Sequence, residues 1–161
     1  MGREKNKQYK RVGERFAAIP ITVFESEAFK SLTSRQRDLY IHCRAEQFHP
    51  KRYKPDKEDA TKFYFNEAVW SDKHDDVNKR QGYGLYSKTP RHFYRDMDAL
   101  IMCGFIRCVY CGANAKQRNI YQYSDKWKLY GKPGFEILPE EMTKSLLNKR
   151  RKETNLEELL F

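Results

Sequence analysis

The sequence has no long run of apolar residues and few cysteines. No stretch of its 161 residues approaches the ~20 consecutive apolar residues that a membrane-spanning helix needs. No apolar segment follows the charged first residues, so the sequence shows no secretory signal. Four cysteines are too few for a disulfide scaffold. These absences predict a cytoplasmic protein with reduced thiols and without a membrane partner.

The motifs that mark common enzyme active sites are also absent. The sequence has no phosphate-binding P-loop, no HExxH motif and no GxSxG motif. A DNA-nicking enzyme of the relaxase type needs a His-x-His pair, but His42, His49, His74 and His92 are scattered along the chain. We therefore predict a protein that is not an enzyme and that uses no cofactor.

One pair of cysteines has the spacing of a zinc ligand pair. Cys108 and Cys111 form a Cys-x-x-Cys motif, and Cys103 and His92 are the further candidates. A structural zinc site needs four ligands, usually from two such pairs, and the sequence has no second pair. In an extended strand, Cys108 and Cys111 would also point to opposite faces. We interpret the cysteines as small core or strand residues and predict no metal site.

What the sequence does have is an excess of basic residues. It contains 32 Lys and Arg against 22 Asp and Glu, which gives a net charge of +10. Residues 1–15 and residues 88–118 carry most of the excess, since each region holds six basic and two acidic residues. A surface that only keeps a protein in solution usually mixes the two signs more evenly. The distribution therefore favours a polyanionic partner, nucleic acid first, over a plain solvated surface.

Local signals predict the first elements of the fold. Residues 1–15 lack apolar periodicity and are predicted to form a flexible basic arm. Thr33 and Gln36 have the spacing of a capping box, which predicts a helix from residue 34 to 47. Residues 63–65 are a short aromatic run bounded by polar residues, which predicts a strand.

The best-defined element is a helix that begins near Thr89. Thr89 can serve as its N-cap, Pro90 suits its first position, and Gly104 suits its C-terminal end. Four apolar residues recur at helical spacing and predict its buried face; they are Phe93, Met97, Leu100 and Ile101. The opposite face is predicted to carry Arg91, Arg95 and Asp98.

A hairpin and a tail are predicted after this helix. Residues 105–111 and 119–123 are predicted to be strands joined by a turn with Lys116 and Arg118 at its tip. Residues 139–161 are predicted to form a helical tail. In that tail, Thr154 and Glu157 have the spacing of a second capping box. The basic run at residues 149–152 has two open interpretations, a phosphate-binding arm and a solvated helix face.

A further helix is predicted through Ala68, Val69 and Trp70, with Asn66 as its cap. The predicted order is therefore helix, short strand, helix, helix and hairpin, which is that of a winged helix domain, a helix-turn-helix variant. Its last core helix lies in the major groove of DNA, and its hairpin, the wing, reaches the flanking backbone. Arg can contact guanine with two hydrogen bonds, and both Lys and Arg neutralise phosphates. The candidate DNA-binding residues lie at the start and outer face of the helix, at the hairpin tip and in the arm; they are Ser87, Lys88, Thr89, Arg91, His92, Arg95, Lys116, Arg118, Lys5, Lys7, Lys10 and Arg11.

The chain also resembles a known family. The segments that carry the likeness are RFAAIPITVFESEAFKSLTSRQRDLY, FYFN, SKTPRHFYRDMDALIMCGFI and NIYQYSDKW. They are similar to the winged helix domain of replication initiators and origin-binding accessory proteins of plasmids, phages and conjugative elements. The resemblance implies an α+β protein with a winged helix-turn-helix domain at residues 16–130. The basic arm precedes this domain, and a linker with a helical tail, residues 131–161, follows it.

These observations predict a non-catalytic protein that binds double-stranded DNA of a mobile genetic element. It would mark an origin of replication or of conjugative transfer and help to assemble the replication or processing machinery. Replication or conjugation proteins and a second copy of the chain are further candidate partners. Two alternatives stay open, a transcriptional regulator of the element and a winged helix adaptor that binds protein rather than DNA.

Overall fold

The computed structural model describes residues 18–47, 55–56, 58–65, 85–86, 90–112 and 117–158. Within these residues the chain forms five α-helices and three strands in a mixed α+β fold, the class that was predicted. In chain order they are α1 Ile21–Glu25, α2 Glu27–Ser31, α3 Ser34–Gln47, β1 Lys62–Tyr64, α4 Pro90–Met102, β2 Ile106–Tyr110, β3 Ile120–Tyr123 and α5 Lys144–Glu158.

Helix α3 begins with the predicted capping box. The Thr33 amide donates to Gln36 Oε1 at 2.9 Å, and the Gln36 amide donates to Thr33 Oγ1 at 3.4 Å. The two side chains thus satisfy amides that have no partner within the helix. The helix covers residues 34–47, as predicted.

Helix α4 begins at Pro90, as predicted, and ends before Gly104. Gly104 has a φ of +79°, in the left-handed region that favours glycine. The Phe105 amide donates to the Leu100 carbonyl at 3.0 Å, and the Gly104 amide donates to the Ile101 carbonyl at 2.8 Å. This pair of bonds is a common way to end a helix. All four residues of the predicted apolar stripe are fully buried; they are Phe93, Met97, Leu100 and Ile101.

The three strands form one antiparallel sheet in the order β1-β3-β2. β2 and β3 are the predicted hairpin, and β1 pairs with the other edge of β3. Phe63, Tyr121 and Cys108 lie side by side across the three strands and are buried. The sheet therefore has one face in the core, because alternate side chains of each strand point the same way.

Aromatic rings fill much of the core between the helices and the sheet. Tyr40 of α3 and Trp127 both pack on Phe105, with ring centroids 4.7 and 5.9 Å apart. Phe93 of α4 lies 5.7 Å from Phe65, which follows β1. Each ring buries a large apolar area, so a chain with 39% hydrophobic residues still forms a core.

After β3 the chain packs against the same core before α5 begins. It passes through two 3-10 helices, Lys126–Leu129 and Pro139–Glu141, and then forms α5. Ile137, Met142 and Leu146 of this segment are buried. The first residues of α5 are thus fixed to the rest of the molecule, and residues 148–155 are exposed.

Thr154 lies inside α5, so the predicted second capping box with Glu157 is wrong. The Thr154 hydroxyl donates to the Arg150 carbonyl at 3.1 Å, four residues earlier in the same helix. The N-cap of α5 is Thr143, whose Oγ1 accepts a hydrogen bond from the Leu146 amide at 3.2 Å.

Strand β2 contains a bulge. Because of it, the prediction that Cys108 and Cys111 point to opposite faces is wrong. Cys108 pairs with Tyr121 and Tyr110 pairs with Ile120, so Val109 is an extra residue in β2. The extra residue shifts the alternation of side chains, and the thiols of Cys108 and Cys111 interact instead of pointing to opposite faces. Burial and the neighbouring Cys111 together raise the pKa of Cys108 to about 12.

Candidate nucleic-acid interface

The outer face of α4 presents a basic surface in its N-terminal half. Arg91, His92 and Arg95 are all exposed, and the Arg95 side chain is 64% exposed. Tyr94 beside them is 37% exposed. The opposite face of the helix is completely buried, so these side chains have a fixed direction relative to the core. The structure therefore brings together three of the predicted residues on one exposed helix face.

A buried carboxylate that the sequence analysis missed holds α4 against α3. Asp96 is completely buried. Its Oδ2 accepts hydrogen bonds from Arg35 Nε at 2.6 Å and from the Tyr86 hydroxyl at 2.8 Å. Its Oδ1 accepts a third hydrogen bond from Gln36 Nε2 at 3.2 Å. The only signal in the sequence is the position of Asp96 three residues after Phe93, at the edge of the apolar stripe.

The Asp96 cluster is arranged to keep the carboxylate charged. Burial by itself would raise the pKa of Asp96, but the hydrogen bonds from Arg35, Tyr86 and Gln36 outweigh burial and lower it. Burial and the bond to Asp96 raise the pKa of Tyr86, which stays protonated and donates. Arg35 at 2.6 Å and Arg95 at 3.9 Å therefore balance the buried negative charge of Asp96 beneath the basic face of α4.

Asp98, in the C-terminal half of the predicted α4 face, is partly covered by the start of α5, which corrects its predicted placement on an open face; Met102, farther along that face, is 44% exposed. Asp98 was predicted on the open face with the two arginines. Instead its carboxylate accepts hydrogen bonds from Thr143 Oγ1 at 2.6 Å and from Ser145 Oγ at 3.0 Å, at the start of α5. Burial raises the pKa of Asp98, and the two hydroxyl bonds partly offset this effect. The open basic surface is therefore limited to the first two turns of α4.

The hairpin presents Arg118 in its turn, two residues before β3 begins. Arg118 is exposed. The base of the turn is closed by hydrogen bonds from the Gln117 amide to the Gly112 carbonyl at 3.0 Å and from the Gly112 amide to Asn119 Oδ1 at 2.9 Å. A Cβ at Gly112 would lie 2.3 Å from the Gln117 carbonyl oxygen, so this close approach needs glycine.

The outer face of the sheet is basic in sequence but neutral in structure. The Arg107 guanidinium donates to Gln122 Oε1 at 2.9 and 2.6 Å. Gln122 in turn donates to Asp59 Oδ2 at 2.8 Å, and Lys62 pairs with Asp56 at 2.8 Å. Lys62 is paired with a carboxylate, and Arg107 lies 3.9 Å from Glu141. The sheet face is therefore less attractive to a polyanion than the α4 face is.

Eight of the predicted residues lie outside the described residues. They are Ser87, Lys88 and Thr89 before α4, Lys116 in the hairpin turn, and Lys5, Lys7, Lys10 and Arg11 in the predicted arm. The four that the structure places are Arg91, His92, Arg95 and Arg118, and all four are exposed.

The described residues contain no group of three or more His, Cys, Asp or Glu side chains that could hold a metal ion. None of the helices in the described ranges is both long enough and apolar enough to cross a lipid bilayer. Comparisons of the chain with protein-family models, with curated proteins and with solved structures gave no match.

Proposed function

We propose that this protein binds double-stranded DNA through the N-terminal half of α4 and that it is not an enzyme. The observation that carries the proposal is the exposed cluster of Arg91, His92 and Arg95 on a helix whose other face is fully buried. Recognition helices contact base edges mainly through their N-terminal residues, and this is the half of α4 that α5 leaves open.

The chain topology supports a winged helix for this proposal. In sequence order α3 precedes β1, and α4 is followed directly by the β2–β3 hairpin. The early strand β1 pairs with β3, so the sheet order is β1-β3-β2. In a winged helix the last core helix also precedes a hairpin, and here the hairpin carries an exposed Arg118.

The proposed contacts divide into those that read sequence and those that position the protein. Arg91 and Arg95 can each donate two hydrogen bonds to the O6 and N7 atoms of guanine in the major groove. Arg118 of the hairpin would contact phosphates or the minor groove of the flanking DNA, which adds affinity with little sequence preference.

We further propose that the bound site belongs to a mobile genetic element, at an origin of replication or of conjugative transfer. The support for this role is the resemblance of residues 16–130 to the winged helix domains of initiators and accessory proteins. Footprinting on the DNA around the gene distinguishes the alternatives. Protection of an origin supports the proposal, whereas protection of a promoter alone favours a transcriptional regulator.

The DNA-binding proposal is tested with a short labelled duplex of mixed sequence, measured by anisotropy over a range of salt concentrations. We expect an affinity that falls steeply with salt, because bound phosphates release counterions. The double variant Arg91→Gln/Arg95→Gln should bind more weakly.

The matched control is Lys30→Gln/Lys128→Gln, which removes the same charge from exposed lysines on other elements. Affinity in the control should stay close to that of the wild type. A wild-type protein that does not bind duplex at low salt would contradict the proposal and favour the adaptor alternative.

A further inference from the structure

The four side chains of the basic run at residues 149–152 do not share one face of α5, because consecutive helical residues point about 100° apart and four of them span most of a turn. Two of its four side chains interact with other residues of the chain. Lys149 pairs with Glu153 at 3.8 Å, and Arg150 donates from Nη1 to the Ile137 carbonyl at 3.1 Å. Arg151 and Lys152 are exposed and form no hydrogen bond or ion pair within the described part of the chain.

The outward face of α5 is a stripe of cationic and amide side chains. Leu146 is buried and Leu147 is half-buried, which defines the inner side of the helix. Exposed residues recur at the i, i+4, i+7 and i+11 spacing of a helix face that borders Leu147 and lies away from Leu146, with Lys152 beside them. This outer stripe consists of Lys144, Asn148, Arg151, Lys152 and Asn155. It contains no carboxylate.

We propose that the outer stripe of α5 is a second contact surface for duplex DNA, bound to phosphates alongside the α4 site. This inference rests on the proposed function. Lys and Arg neutralise phosphates, and Asn amides donate hydrogen bonds to phosphate oxygens. The stripe has no aromatic or large apolar side chain, so it lacks the anchor that a protein partner or a membrane surface would use.

The start of α5 adjoins the helix that carries the proposed interface. Thr143, the N-cap of α5, donates to Asp98 on the same face of α4 as Arg95. The stripe from Lys144 to Asn155 is about 17 Å long at 1.5 Å per residue. Each DNA strand carries one phosphate per ~3.4 Å of helix axis, so a stripe of this length can reach more than one phosphate.

The test is the salt dependence of duplex binding by Arg151→Gln/Lys152→Gln. Glutamine is a good helix former, and both side chains are exposed, so the melting temperature should not change. Each lost phosphate contact lowers the slope of log K against log salt by about 0.9. We expect a slope smaller by one to two such steps and an equal loss of affinity on all duplex sequences.

Comparing the α5 variant with the α4 variant and with the lysine control distinguishes the possible results. If the α5 variant keeps the wild-type slope while Arg91→Gln/Arg95→Gln loses affinity, the inference is wrong and the proposed function stands. A slope reduced equally in the Lys30→Gln/Lys128→Gln control would reflect net charge alone and would also overturn it. If the wild-type protein does not bind duplex, both proposals fail together.

Discussion

Asp96 on α4 and Arg35 on α3 form a hydrogen-bonded ion pair with 2.6 Å between Oδ2 and Nε. The carboxylate is completely buried, whereas the Arg35 side chain is 39% exposed. Hydrogen bonds from Tyr86 and Gln36 complete the shell around Asp96. The pair fixes α4 against α3 and so sets the direction in which Arg91 and Arg95 point.

We expect Asp96→Asn to lower the free energy of unfolding by about 2–4 kcal/mol. The change removes a charge-assisted bond and leaves the Arg35 guanidinium without its carboxylate; the partial exposure of Arg35 limits the loss. Urea denaturation measures the effect. Glu27→Gln is the control, because its ion pair with Lys30 is exposed and worth at most about 0.5 kcal/mol. Equal midpoints for the two variants would contradict this role of Asp96.

Stability should fall as the pH decreases below about 4. The pKa values of Asp96 and Glu141 are lowered in the folded protein, in both cases because hydrogen bonds and nearby cations outweigh burial. The unfolded chain then binds protons more readily than the folded one. The stabilisation is therefore present above the unfolded pKa of about 4 and is lost as the pH falls through the folded values.

Asp98 has the opposite effect on the pH dependence of stability, because burial raises its pKa.

Asp96→Asn removes a carboxylate whose pKa is lowered by folding. Urea midpoints between about pH 5 and pH 2 should therefore decrease less steeply in this variant than in the wild type. Parallel curves for the two proteins would show that Asp96 does not drive the acid sensitivity.

Gly104→Ala should destabilise the protein by more than about 3 kcal/mol. Its φ is positive, and an added Cβ would lie 2.7 Å from the backbone nitrogen of Trp127, which cannot move without shifting the chain. Gly131→Ala is the matched control, since Gly131 has a similar φ of +73° but nothing within 4 Å of the added Cβ. Thermal melting should show only the backbone strain of about 1–2 kcal/mol in the control. Similar melting temperatures for the two variants would exclude the proposed clash.

Thr143→Ala should loosen α5 and lower stability by about 1–3 kcal/mol. The variant loses the N-cap of the helix and one hydrogen bond to the half-buried Asp98. Cleavage of α5 by a protease at low concentration should become faster. Thr154→Ala serves as control, because it removes only an exposed hydroxyl in mid-helix and adds helix propensity. Unchanged proteolysis of Thr143→Ala would mean that other contacts hold α5.

Arg118→Ala should weaken duplex binding on every sequence and reduce the salt slope by about one unit, as expected for a lost phosphate contact. Arg107→Ala is the control from the same hairpin, because its guanidinium is already bonded to Gln122. Anisotropy titrations at several salt concentrations compare the two. A sequence-dependent loss for Arg118→Ala would indicate base contact instead, and no loss would place Arg118 outside the interface.

The bounds of α3 and α4 could be predicted because their signals are local. The capping box of α3 involves Thr33 and Gln36, three residues apart, and α4 is delimited by Pro90 at its start and Gly104 at its end. The hairpin likewise joins strands that are close in the chain. Such features depend on backbone geometry and side chains within a few residues of each other, so they need no knowledge of the rest of the fold.

The tertiary structure decided which of the charged residues on α4 are free to bind. Asp96 is buried because Arg35, 61 residues earlier, reaches its carboxylate. Asp98 is covered because Thr143, 45 residues later, donates to it. The sequence alone determined the helix, its apolar stripe and its positive charge. Whether a carboxylate or a guanidinium faced solvent depended on long-range contacts, because only a partner from another part of the chain offsets the cost of burying a charge.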